Sequence, residues 1–415
     1  MLKNLFKYIK LPVTTISMVV GMTTVAQGAY LKLWDNGPSS NRVDMVFLGD
    51  GYTAADINTT YNCHVYSILN RMFFGNENPY PRYKNFFNVH RLDIISQERG
   101  ADIPPKGIFR NTALDASYYF DGVTERLLYI NEANAYQALV NNLPDLSLAE
   151  VRLLTVNDVK YGGSGGYFAV YAGGNSYASE LALHELGHSF NGLADEYYYS
   201  NSGIYNGAEP AAINITKSPT GEKWSHWLGY VQPGIGVIGN YEGAGYYEKG
   251  LFRPSLNSKM RSLGQPFDAV SREKIILDIY NLVDPLDSWL DNTVSLYNPD
   301  RLWVNAIDPS VININWYVNG VLVPGAENQW FNLLDYGFGS GIYQVTAKAF
   351  DSTDWVRSNR NLLEQSITWN VTVLVPEIEP RNPQVSVPEP RTLLGLLCMS
   401  IFALVSCSGK RRKLS

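Results

Sequence analysis

The chain has 415 residues, 45% of them hydrophobic, with 33 Lys and Arg against 39 Asp and Glu and a formal charge of −6. That is enough apolar material for one large core and a second smaller one, and it excludes a disordered chain. No basic stripe stands outside the extreme C-terminus, which argues against a nucleic-acid partner, and 28 Tyr and 35 Gly with 17% charged residues suit an exported, loop-rich protein.

Lys3, Lys7 and Lys10 precede a mostly apolar or small run from Leu11 to Ala26, and Val25-Ala-Gln-Gly-Ala29 offers small residues at cleavage spacing. This predicts a signal peptide over residues 1–28, a substrate of signal peptidase. Arg42 to Asp50 then reads as a strand running into a turn at Gly51-Tyr-Thr53, with Thr53 capping a helix that extends to Phe74. Cys63 is the one cysteine outside the C-terminal tail, so no intramolecular disulfide is expected, and it is expected to be a small buried residue. Phe86 to Ile95 predicts a second strand, Asp115 to Tyr119 a short helix, Asn131 to Leu143 a helix and Val151 to Val156 a strand. Gly162 to Gly166 predicts a tight turn feeding a strand from Tyr167 to Ala172. Helices alternating with strands make this region a mixed α/β layer. No Lys-Ser or Lys-Thr follows the glycines, so they form no nucleotide loop; next to a cleft, the Tyr167 to Tyr171 strand would be an edge able to pair with an extended substrate.

The segment from Leu181 to Phe190 accepts a helix and contains His184-Glu-Leu-Gly-His188. Residues four apart share a helix face, so both imidazoles can be directed at one ion, with the Glu185 carboxylate close enough to take a proton from water there. Two histidines make a weak site alone. Asn191-Gly192 offers a left-handed turn that brings the chain back, and Asp195 and Glu196 follow as candidates for a third, oxygen ligand. Two His and one carboxylate leave the fourth position that catalysis requires. A structural or degenerate site is the competing reading. A calcium site joining Asp50 and Asp195 lacks any regular calcium-loop spacing.

After Pro285 the composition turns β-rich, with runs at Val311–Val318, Gly341–Ala349 and Ile367–Leu374 and an Asn319-Gly320 hairpin signal. A small β-sandwich over residues 286–375 is expected, and Trp316-Tyr-Val-Asn-Gly with Gly341-Ile-Tyr-Gln-Val resembles immunoglobulin-like or PKD-like modules. Pro376, Pro380, Pro383, Pro388 and Pro390 make residues 376–390 a stiff linker. Residues 391–415 hold an apolar run, Leu393 to Ser406, that is short for a bilayer crossing of ~20 residues, followed by Lys410 to Lys413. Val387-Pro-Glu-Pro390, the apolar run and the basic tail resemble the PEP-CTERM sorting signal of Gram-negative bacteria. That resemblance implies export to the cell envelope or beyond, transient anchoring in the inner membrane by a transmembrane segment, and processing by an exosortase-like enzyme. A permanent short anchor is the alternative.

His184 through Tyr197 resembles the active-site segment of the M64 peptidases, a group that includes an IgA-cleaving protease. Arg42 to Ala54, Glu222-Lys-Trp224 and Leu251 to Arg261 are similar to other elements of that family, so the resemblance spans roughly residues 40 to 285. It implies a metzincin-like metallopeptidase domain over 29–285, Zn2+ on His184, His188 and Asp195, and Glu185 as general base. Gly192 lies one residue further from the second histidine than in metzincins, so Glu196 stays open as the ligand; otherwise it would support a histidine or bind Arg261. Met260 resembles the Met-turn beneath such a site. Tyr197, Tyr198, Tyr199, His226, Tyr246 and Tyr247 are all available to assist, and the sequence does not rank them. The expectation is a secreted zinc endopeptidase acting on protein or peptide substrates. A surface-binding protein with a structural metal and a zinc amidase acting on cell-wall peptides are the alternatives.

Overall fold

The computed structural model describes residues 28–375. Six strands form the first sheet: β1 (Ala29–Trp34), β2 (Val43–Asp50), β3 (Phe87–Asp93), β4 (Val151–Val156), β5 (Gly163–Gly165) and β6 (Ala169–Ala172). Their order is β1-β3-β2-β4-β6-β5, parallel through the middle and antiparallel at both edges. Four helices accompany it: α1 (Asn62–Leu69), α2 (Glu132–Asn142), α3 (Ala178–Ser189) and α4 (Ala269–Tyr280). Every residue of β2 is buried, as a parallel strand covered on both faces requires. Met45, Phe47 and Leu153 pack with α1, α3 and α4, whereas Val46, Leu48 and Leu154 pack with Ala135 and Leu139 of α2. Asn131 caps α2 by accepting from the Asn134 amide, so that helix forms where the sequence placed it.

Four local expectations are corrected. Asp115 to Tyr119 is not helical: Asp115 and Tyr119 both have positive φ. The buried Asp50 carboxylate draws the backbone amides of Leu114 and Ala116 to itself at 3.0 and 2.9 Å, outcompeting a helical turn. Asp50 also accepts from Ser96, so it ties loops together and does not join Asp195. Thr53 caps nothing; its amide and hydroxyl both donate to Asp56. The glycine run is a strand as well as a turn, because β5 pairs with β6 and takes the edge position predicted for Tyr167 to Tyr171. Cys63 is exposed, since α1 turns Val65, Ile68 and Leu69 to the core instead.

Two short hairpins follow, β7 (Val231–Gln232) with β8 (Gly236–Val237), and β9 (Tyr241–Ala244) with β10 (Tyr247–Arg253). The remaining strands are β11 (Leu286–Trp289), β12 (Leu296–Tyr297), β13 (Leu302–Ala306), β14 (Ile312–Val318), β15 (Val321–Leu322), β16 (Trp330–Phe331), β17 (Gly341–Asp351) and β18 (Glu364–Val373). They form a β11-β13-β16 sheet and a β12-β18-β17-β14-β15 sheet. Alternating burial along β14 gives one apolar face, and Asn319 and Gly320, both at positive φ, close the β14–β15 hairpin as expected. The apolar core of the first sheet runs on without a break through Leu286, Leu302 and Ile312 to Trp316 and Trp369. At this seam the buried Asp351 carboxylate accepts from Arg82 at 2.6 Å, Tyr83 at 2.7 Å and Tyr280 at 3.1 Å.

The expected inner-membrane anchor is corrected: among the described residues no helix is long and apolar enough to cross a membrane. The predicted signal peptide, the proline linker and the sorting-type tail lie outside the described residues.

Candidate metal centre

Helix α3 carries Leu181, Ala182, Leu183 and Leu186 into the core, which leaves His184 and His188 on one partly exposed face. Their rings stand at 90°, with the Nε2 atoms 3.2 Å apart. Each ring is fixed from behind. His184 Nδ1 lies 3.0 Å from the Lys259 carbonyl and His188 Nδ1 lies 2.7 Å from the Leu193 carbonyl. A carbonyl oxygen only accepts, so Nδ1 carries the proton in both rings.

After α3 the chain turns at Gly192, whose φ of +60° suits glycine, and returns Asp195 to the histidines. Asp195 is 7% exposed, and its Oδ1 lies 3.1 Å from His184 Nε2 and 3.3 Å from His188 Nε2. Oδ1 nevertheless has no hydrogen-bond partner, while Oδ2 accepts from the Tyr246 hydroxyl at 2.5 Å. An imidazole that donates from Nδ1 presents a lone pair at Nε2. Two such lone pairs and a carboxylate oxygen therefore face one another across a few ångströms, and these three residues form the metal-competent cluster among the described residues. A proton relieves part of the crowding: burial lowers the His188 pKa, but Asp195 and Glu185 outweigh it and bring it up to about 9. Asp195 is held well below the usual carboxylate range, its burial overcome by the two imidazoles. A divalent cation satisfies all three atoms at once, and the nitrogen and oxygen donor set suits zinc. The residues fit the metal.

Glu196, the competing ligand, points elsewhere. It is fully buried, accepting from Asn214 at 2.9 Å and Ser258 at 2.6 Å. It supports no histidine and does not pair with Arg261. Met260 is buried beneath α3, so close to Gly187 that a Cβ there would lie 2.7 Å from its sulfur. Its neighbour Lys259 supplies the carbonyl that orients His184, so the Ser258-Lys-Met260 segment underlies the site.

Glu185 is 7% exposed and, with His184, lines a cavity of about 290 Å³ that also takes in Arg126, Tyr161, Tyr197, Tyr199 and Arg261. Burial raises the Glu185 pKa, with the two imidazoles pulling the other way. Of the other polar candidates, Tyr197 and Tyr199 line this cavity and Tyr246 holds Asp195. Tyr198 stacks under Arg261, Tyr247 packs on Tyr205, and His226 pairs with Glu273 at 2.6 Å, away from the metal cluster. Arg126 and Tyr161 carried no signal in the sequence, because only the folding of their loops onto β5 and α3 brings them here.

Residues 31–235 match the family model described as IgA Peptidase M64. The α/β domain is M64-like. The match ends before the Leu251 to Arg261 segment, although Lys259 and Met260 of that segment touch the site. No curated protein matches the chain. The M64-like domain together with the His184, His188 and Asp195 cluster supports a hydrolase of the peptidase class with a metal-associated activity.

Proposed function

We propose that the protein is a zinc-dependent endopeptidase in which His184, His188 and Asp195 hold the metal and Glu185 is the general base. The observation that carries this reading is the convergence of three acceptor atoms, one an orphaned buried carboxylate oxygen, beside a carboxylate that opens onto a cavity. When bound, zinc supplies Lewis acidity that makes a water more acidic and polarises a carbonyl. The chain's own groups do the rest. Glu185, poised by burial to hold a proton, takes one from the attacking water and delivers it to the leaving amine nitrogen. The Lys259 and Leu193 carbonyls lock the histidine tautomers, and Tyr246 restrains Asp195. Access from the cavity to His184 and Glu185 supports catalysis over a purely structural metal.

Elemental analysis tests the ligands. Wild type binds one zinc per chain, His188→Ala and Asp195→Ala lose it, and Glu196→Ala keeps it; equal zinc in wild type and His188→Ala overturns the site. Glu185→Gln keeps zinc and loses hydrolysis of a peptide library by roughly 10²–10⁴-fold. Zinc-loaded wild type that cleaves nothing in a broad library overturns the peptidase reading.

A further inference from the structure

The cavity beside His184 and Glu185 is lined by two guanidinium groups, Arg126 and Arg261, and among the described residues neither forms an ion pair with a carboxylate, Glu185 acting on Arg126 only from a distance. Arg126 Nη2 donates to the hydroxyls of Tyr197 at 3.1 Å and Tyr199 at 3.0 Å, two uncharged acceptors that fix the group without compensating its charge. Arg261 lies over the Tyr198 ring at 5.3 Å, and its Nη1 is buried with no hydrogen-bond partner. Among the described residues no carboxylate comes within 4.0 Å of either guanidinium. Arg42, Arg71, Arg82, Arg91 and Arg99, by contrast, each meet a carboxylate at 3.1 Å or less.

Two like charges lining one small cavity repel, and a buried guanidinium nitrogen without a partner costs free energy. Both costs are removed by an anion whose oxygens accept from the two forks, and a carboxylate has the matching planar geometry. Leu181 and Leu263 add apolar wall to the same cavity, which suits the methylene stem of a side chain. At about 290 Å³ the space is at the small end for ligand pockets, which run to ~1,000 Å³, and fits one side chain or a chain end. We infer that Arg126 and Arg261 form a specificity subsite for a substrate carboxylate next to the bond that is cut. The subsite rests on the peptidase reading for its role and sets a preference for acidic peptides. The carboxylate can come from an internal Asp or Glu side chain or from the peptide's own C-terminus.

The test uses the zinc-loaded full chain and paired peptides. One set, blocked at both ends, carries Glu or Gln at each scanned position; the other is neutral in its side chains and ends in a free acid or an amide. Wild type is expected to favour the carboxylate member of one set by at least tenfold in kcat/KM. Preference in the first set identifies a side chain, and preference in the second identifies a chain end. The ratio falls toward one in Arg126→Gln/Arg261→Gln, and Arg261→Glu shifts the preference to Lys at the same position. Zinc content and thermal midpoint confirm that the variants fold, while the ratio reports on the subsite. Equal turnover of both members in both sets by wild type overturns the inference. If no peptide is cut, the peptidase reading fails on its own, and binding of the same pairs to wild type by calorimetry decides the subsite: equal affinities overturn it.

Discussion

Lys259→Met removes an ammonium that two glutamates share beneath the candidate metal centre. Lys259 and Glu77 are 0% and 1% exposed at the side chain, and Lys259 Nζ lies 3.2 Å from Glu77 and 2.5 Å from Glu180. Arg71 reaches the same two carboxylates at 3.1 and 2.7 Å, but it is 38% exposed and counts for less. Two negative and two positive charges balance in the native cluster, so the variant holds one negative charge in excess. Removing one partner of a buried ion pair costs ~3–5 kcal/mol, and the surviving Arg71 contacts place this case near ~3 kcal/mol. The deficit depends on pH. Burial already raises the Glu77 pKa above its ordinary value and Lys259 opposes that rise, so losing Lys259 raises it further. A carboxyl whose folded pKa lies above its unfolded value contributes stability that is complete below the unfolded pKa and is lost as pH rises through the folded one. The variant therefore falls furthest short of wild type near neutrality, and the gap narrows toward the ordinary Glu77 value of 4.5. Adding Glu77→Gln removes the surplus charge and restores ~1–2 kcal/mol relative to the single variant, as coupling between neighbours requires. Urea unfolding of wild type, both single variants and the double variant, all metal-free, measures each quantity at about pH 7 and about pH 5. A loss under ~1 kcal/mol near neutrality, or the same loss at both pH values, would refute the reasoning.

Met260→Ala empties the space under Gly187 and costs ~2–5 kcal/mol of stability, read by urea unfolding; a loss within ~0.5 kcal/mol would show that the sulfur is not packed there. Tyr246→Phe keeps the ring and removes the bond to Asp195, and it is expected to weaken zinc roughly 10–100-fold in a chelator competition, with unchanged affinity as the contrary result. Burial lifts the Glu150 pKa to about 7, against an ordinary 4.5, the Asp44 amide opposing the rise and the Asp44 charge adding to it. Wild type accordingly loses stability as pH climbs through that interval, and Glu150→Gln flattens the slope; identical slopes would refute this. Asp351→Ala leaves Arg82, Tyr83 and Tyr280 without their acceptor and is expected to cost ~3–5 kcal/mol, detected as a lower denaturant midpoint.

The histidines were legible because the feature that joins them, four residues along one helix, is local. The return of a carboxylate to the histidines was legible to within one residue, but the Asn214 and Ser258 donors that hold Glu196 away from them were not. The carbonyls of Lys259 and Leu193 had no signature, since any residue type can offer a backbone oxygen. Asp115 to Tyr119 misled because helix propensity cannot register Asp50, far away in sequence, bonding two of the amides. The glycine run was legible as a turn, but its strand was not. A Cβ at Gly163 would lie 2.8 Å from the Glu185 carboxylate, so that edge strand exists in this form because a helix from further along the chain presses on it.

The seam at Asp351 bears on how such a protein can be inherited. Exchanging the C-terminal sheets for those of another lineage, by a cut near Pro285, would strip the acceptor from two phenols and a guanidinium in one event. It would also lay bare the side of the core that Ile312, Trp316 and Trp369 continue. A recombinant of that kind gives up ~3–5 kcal/mol at Asp351 alone, a large share of the ~5–15 kcal/mol that separates a folded domain from an unfolded one. Sheets grafted there have to bring both an acceptor for those three donors and an apolar face that continues the core. Exposed positions such as Val321 and Leu322 of β15 carry no such requirement.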